Sequence, residues 1–164
     1  MAEAGATTPF IVDFMVPKGA ETGAVAEMVQ AMAADIGITM KIRVTEFATS
    51  LKQAEDGEFQ IFLIGWSGRS DPDGNSYTFH TCGSPQNNSG YCDKAVDAAH
   101  QEARTKSDPA ERKKAYERVA AKFLPEGSIL YIYHRRVLVA LSDRVEGYKQ
   151  IPDGLVRVVG VKLK

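Results

Sequence analysis

The side chains able to do chemistry crowd between Gly65 and His100. Gly65-Trp66-Ser67-Gly68 sets a serine between glycines, as the nucleophile elbow of a hydrolase does. That elbow needs Gly-x-Ser-x-Gly with a helix directly behind it. Here the second glycine comes one residue early and Pro72 opposes a helix, so a strand-to-loop turn is expected, with a small α/β hydrolase as the rival. Asp71-Pro72-Asp73-Gly74-Asn75 opens like a calcium loop, but an EF-hand needs glycine at its sixth position and a carboxylate at its twelfth. Gly74 is fourth and Cys82 twelfth, so these side chains are expected to satisfy nearby backbone N–H groups instead. His80, Cys82, Cys92 and His100 are zinc-ligand types, in a spacing that matches no common structural zinc pattern. The two cysteines are the only ones and share a Gly/Ser/Asn-rich stretch, which fits a local disulfide better than two buried thiols. Closing so short a loop contributes ~2–3 kcal/mol in the chain-entropy account. His134-Arg135-Arg136 reads as a solvated turn, and His100 as a surface or edge residue of its helix. There are no paired carboxylates, no phosphate-gripping glycine loop and no Cys/His dyad, so the residues favour binding over catalysis and imply no metal or cofactor.

The elements that must carry these residues follow from periodicity. Residues 10–16 are short, apolar and rich in β-formers, closed by Pro17 and Gly19, and read as a strand. Val25, Met28, Val29, Met32 and Ile36 recur at helical spacing and predict one buried stripe on a helix over residues 22–36, with Gly37 as its left-handed cap. Residues 38–47 alternate as a strand, residues 49–54 form a short helix, and residues 60–66 make a nearly continuous apolar strand. This β-α-β-α-β order implies parallel strands. Residues 67–91 are predicted to be a long loop without regular structure. Such loops are usually functional or disordered, and the cysteines and aromatics here argue against disorder.

Two helices follow, over residues 93–105 and from residue 108 onward. Val96, Ala99 and Ala103 form the buried face of the first; Tyr116, Val119, Ala120 and Phe123 form that of the second. Asp108 is a natural N-cap, Pro109 fits the first helical position, and Glu111 completes a pattern like a capping box. Three strands are expected at residues 129–133, 137–141 and 155–161, the last after a turn at Pro152-Asp153-Gly154.

Composition bounds the answer. The 164 residues balance 20 basic against 21 acidic side chains, for a formal charge of -1. That balance argues against nucleic acid as a partner. No apolar run approaches the ~20 residues of a transmembrane helix. Met1-Ala2-Glu3-Ala4-Gly5 has neither the basic nor the apolar region of a secretion signal. Paired cysteines without a signal point to a fragment of an exported protein.

The run Gly65-Trp66-Ser67-Gly68-Arg69-Ser70-Asp71-Pro72-Asp73 does not stand alone. After it come Asn88-Ser89-Gly90-Tyr91-Cys92, Glu102-Ala103-Arg104-Thr105, Asp108-Pro109-Ala110-Glu111-Arg112, Tyr131-Ile132-Tyr133-His134, Gly147-Tyr148 and Pro152-Asp153-Gly154-Leu155. In this order and spacing the chain resembles the C-terminal lobe of the dipeptide/oligopeptide-binding proteins of ABC importers, solute-binding family 5. The likeness covers nearly the whole chain, and Ala2-Glu3-Ala4-Gly5 resembles the point where the chain enters that lobe. Some dipeptide binders carry two cysteines in this loop, which supports a bond between Cys82 and Cys92.

The resemblance implies an α/β fold with a mostly parallel sheet flanked by helices, one lobe of a type II periplasmic-binding-protein-like fold. Residues 1–142 would form the lobe, and residues 143–164 strands that return to the other lobe. The implied function is capture of a peptide-like or other small solute in the periplasm, by closure of two lobes, for an ABC permease of the inner membrane. An isolated lobe would bind solute weakly and could dimerise through its exposed surface. The ligand-binding candidates are Trp66, Ser67, Arg69, Asp71, Asp73 and Tyr77, beside the disulfide candidates Cys82 and Cys92. Trp66 would wall the cleft or else sit in the core; Phe79 and His80 would line the cleft or anchor the loop. Peptide binders often place an Asp shortly after the Gly-Trp strand to hold the ligand's α-amino group, and here the matching region offers Arg69. Arginine reads carboxylates and cannot accept from an ammonium. The expected ligand is therefore a peptide-like or glutathione-like acid that turns a carboxylate to this lobe.

Overall fold

A computed structural model describes residues 10–151 and 155–164. The expected turn at Pro152-Asp153-Gly154 and the opening Ala2-Glu3-Ala4-Gly5 lie outside them. The chain forms two compact units that divide between Trp66 and Ser67.

The first unit runs β1 (Phe10–Pro17), α1 (Ala20–Ala34), β2 (Ile38–Thr45), α2 (Phe47–Glu55) and β3 (Ile61–Phe62). Its sheet has the order β2-β1-β3 with both pairings parallel, as the alternating order of elements requires. The central strand is the most buried, since Val12, Phe14 and Val16 point to one face and Met15 to the other. Phe14, Val16 and Ala26 form the core, with Val29, Met40, Ile42, Ile61 and Leu63 against it. Gly37 takes the left-handed conformation, φ +82°, that ends α1 before β2.

The α1 stripe differs from expectation. Ala26 and Ala33 are buried, while Met28, Met32 and Ile36 are exposed. The small residues let the helix lie close to the sheet, so the row with the larger side chains faces away. The third strand is also shorter than its apolar run, with ladder pairing at Ile61 and Phe62 and one further bond from Leu63 N–H to the Met15 carbonyl, 3.0 Å.

The second unit carries α3 (Asp73–His80), α4 (Lys94–Thr105), α5 (Pro109–Phe123), a 3-10 turn (Leu124–Glu126), β4 (Val145–Glu146) and β5 (Lys162–Leu163). Helix α4 starts as its sequence implies: Asp93 caps it, accepting from Ala95 and Val96 N–H. Asp108 likewise accepts from Glu111 N–H, and Pro109 opens α5. Val96, Ala99 and Val119 join these two helices, with Tyr91 against them.

Three expectations are corrected here. Residues 67–91 are not structureless, because α3 begins directly after Pro72, whose missing N–H costs nothing at a helix start. His100 is fully buried, not at an edge. The apolar runs at 129–133, 137–141 and 155–161 are not strands. A strand needs a partner for its backbone groups, and among the described residues of this unit only β4 and β5 pair, antiparallel at Val145 with Leu163 and Glu146 with Lys162. Leu130, Leu138 and Val159 in those runs are 79%, 91% and 92% exposed.

Candidate functional site

The loop after Trp66 is held from behind by two arginines. Asp71 accepts a forked pair from Arg112, Oδ2 at 2.9 Å from Nη1 and Oδ1 at 2.7 Å from Nη2. The Arg112 hydrogen bonds, joined by the Asp73 N–H on Oδ1 at 2.9 Å, hold the Asp71 carboxyl below the usual range. Arg112 also donates from Nε to the Ala103 carbonyl, 3.2 Å, so one guanidinium joins the loop, α4 and α5. Two residues on, Asp73 pairs with Arg104 at 3.4 Å, and Arg104 lies 4.1 Å over the Tyr77 ring. The Tyr77 hydroxyl accepts from Gln101 at 3.2 Å. Asp71, Asp73 and Tyr77 thus come together, against α4 and α5. Asp71 accepts from a nearby backbone N–H, as the turn reading anticipated, whereas the pairing of both carboxylates with arginines was not part of it. No cluster of three metal-ligand types occurs among the described residues.

Arg69 sits at the front of this loop. Its Nη1 donates to the Ser67 carbonyl and, at 3.0 Å, to Ser67 Oγ. Its backbone is bracketed by Asn75: Arg69 N–H donates to Oδ1 at 2.6 Å, and Nδ2 donates to the Arg69 carbonyl at 2.7 Å. Trp66 ends the first unit and is 43% exposed, so it is not a core tryptophan. Cys82 and Cys92 are bonded, tying the end of α3 to the start of α4. That settles the cysteines as a disulfide and leaves no thiolates for zinc.

Sequence reasoning missed a buried polar chain. Ser76 Oγ lies 3.1 Å from His80 Nδ1 and 2.8 Å from His100 Nε2, and His80 Nε2 lies 3.0 Å from the Tyr131 hydroxyl. The Val96 carbonyl, one turn back, favours a proton on the His100 ring, although the buried Nδ1 makes no hydrogen bond. A proton there leaves Nε2 to accept from Ser76. His80 Nδ1–H then donates to Ser76, and Tyr131 O–H donates to His80 Nε2. All links are satisfied with both imidazoles neutral. Burial, reinforced by the neighbouring His100, lowers His80 to about 4, and burial lowers His100 as well. Beside this chain lies a cavity of about 370 Å³, lined by Pro72, Tyr116, Val119 and Phe123 with Ser76 and His80.

The loop and its supports can be set against known proteins. A family description, bacterial extracellular solute-binding proteins, family 5 (middle), matches residues 1–88. The chain belongs to this family. Di/tripeptide-binding protein 4 of Pseudomonas aeruginosa is 33% identical over 156 residues, 90% of this chain and 29% of the relative. HbpA2 from Haemophilus parasuis superposes with a TM-score of 0.80 at 27% identity, over 99% of this chain and 34% of that one. A dipeptide-binding protein from Pseudoalteromonas, solved with Met-Leu, gives 0.80 at 21% identity over the same shares. The fold is thus that of an α/β lobe of these binding proteins, and the chain spans about a third of their length.

Proposed function

We propose that this chain is the C-terminal lobe of a periplasmic receptor that captures a peptide-like acid for an ABC importer. The observation that carries the reading is the loop after Trp66, in a member of a solute-binding family, braced by Arg112 and Arg104 and presenting Arg69 where peptide binders often have an acceptor for an amine. Arg69, steadied by Ser67, reads a carboxylate. Asp71, Asp73 and Tyr77 act by holding the loop, because each already has a partner on α4 or α5.

The receptor works by closure: a solute touching two lobes favours the shut state. This lobe alone lacks half of those contacts and binds weakly. Residues 143–164 return to the other lobe, which would cover the bare apolar runs, and the inner-membrane permease receives the solute. The role is binding and not hydrolysis, a reading supported by Ser67, whose Oγ accepts from Arg69. Calorimetry on the receptor carrying both lobes tests this. Arg69→Ala is expected to weaken acidic peptides at least about tenfold, the worth of a charge-assisted bond. Unchanged affinity would sink the reading.

A further inference from the structure

We infer that Asn75, together with Gly74, is the positioning residue that aims Arg69 at the solute. The inference rests on reading Arg69 as the carboxylate reader. The Asn75 side chain uses both ends of its amide on one residue, accepting from Arg69 N–H at 2.6 Å and donating to the Arg69 carbonyl at 2.7 Å. Its Nδ2 also donates to the Asp71 carbonyl at 3.1 Å. A primary amide thereby takes the place of a neighbouring strand's peptide group and fixes the backbone on both sides of the Arg69 Cα. Asp offers no donor for the carbonyl, and Gln would carry the amide one methylene too far. Asparagine is a poor choice inside a helix, yet it stands in the first turn of α3.

Gly74 fixes the root of the side chain. A Cβ there would lie 2.9 Å from Arg69 Cγ and 3.0 Å from Arg69 Cβ, so Arg69 rests directly on this glycine. The start of α3 is itself pinned by the pairs of Asp71 with Arg112 and Asp73 with Arg104. Order therefore passes from α4 and α5 to the first turn of α3, and from there to the guanidinium.

Two measurements separate this role from mere stability. In the 164-residue chain, amide exchange at Arg69 is slow, and Asn75→Ala speeds it about tenfold, the worth of one lost hydrogen bond. Asn75→Asp keeps the acceptor and leaves this amide protected. In the two-lobed receptor the readout is the affinity ratio of Met-Leu to Met-Leu amide. Arg69→Ala collapses the ratio. Asn75→Ala, Asn75→Asp and Gly74→Ala lower it severalfold, whereas a general loss of stability would weaken both ligands alike. If Arg69→Ala collapses the ratio and the other three leave it intact, the inference is overturned while the reading of Arg69 stands. If Arg69→Ala leaves the ratio unchanged, that reading fails, and exchange at Arg69 decides whether Asn75 orders this backbone. Unaltered exchange in Asn75→Ala overturns the inference outright.

Discussion

His80 couples the second unit to pH. Its ring stacks on Phe123 with centroids 3.8 Å apart and touches solvent over only 4% of its surface. Charging it means placing an imidazolium beside His100 where burial strips most of its hydration. The folded pKa of about 4 lies below the ordinary 6.5, so the unfolded chain takes up the proton first. The stability this group contributes is complete above pH 6.5 and is lost as pH falls toward 4. The scale is on the order of 3 kcal/mol, at about 1.4 kcal/mol per unit. Asp71, also held low, acts in the same direction but at lower pH. Thermal melts between pH 7 and 4.5 should show a falling midpoint, and His80→Gln should flatten that slope. An equal slope in the variant would remove His80 from the account. None of this was legible beforehand, because the partners of Ser76 and His80 lie 24 and 51 residues away along the chain. The bond of Cys82 with Cys92 was legible, because it is local and its alternatives lacked partners.

At the scale of elements, legibility tracked locality. The caps at Asp93 and Asp108 act over two or three residues, and both helices begin where those residues place them. The face of α1 depended on what it met, and the sheet chose alanines over methionines. Helix α3 is hidden from a local reading because proline breaks a helix interior but is tolerated at a helix start, where Pro72 stands. The same helix shows what Arg112 does. Replacing it with methionine keeps an unbranched side chain but removes every bond to Asp71, to the Ala103 carbonyl and to the Tyr116 hydroxyl. The first turn of α3 should then exchange its amides faster, with α4 and the body of α5 little changed. Uniform loss of protection across all three helices would mean that Arg112 supports the whole unit and not the loop.

For the whole molecule, the unmatched feature is the apolar surface along 129–141 and 155–159, where Leu138 and Val159 are more than 90% exposed. Exposed patches of this kind associate. Light scattering of the 164-residue chain over a concentration series should show growth beyond a monomer, and addition of the other lobe should suppress it. Constant monomer mass at all concentrations would mean that this surface folds back on its own chain. Strand identity in these runs could not be read locally, since the pattern of side chains says what a segment would do with a neighbour and not whether one is present.

The bridge between Cys82 and Cys92 has a consequence for protease digests. The nine residues between the cysteines include exposed Gly83, Pro85, Gln86, Ser89 and Gly90, so this is where an enzyme can bite. A cut there severs the polypeptide yet frees neither piece, because the sulfurs still hold both ends. Digested protein should run as a single intact band without thiol and as two fragments once reductant is added; two fragments in both lanes would mean that the cut fell elsewhere.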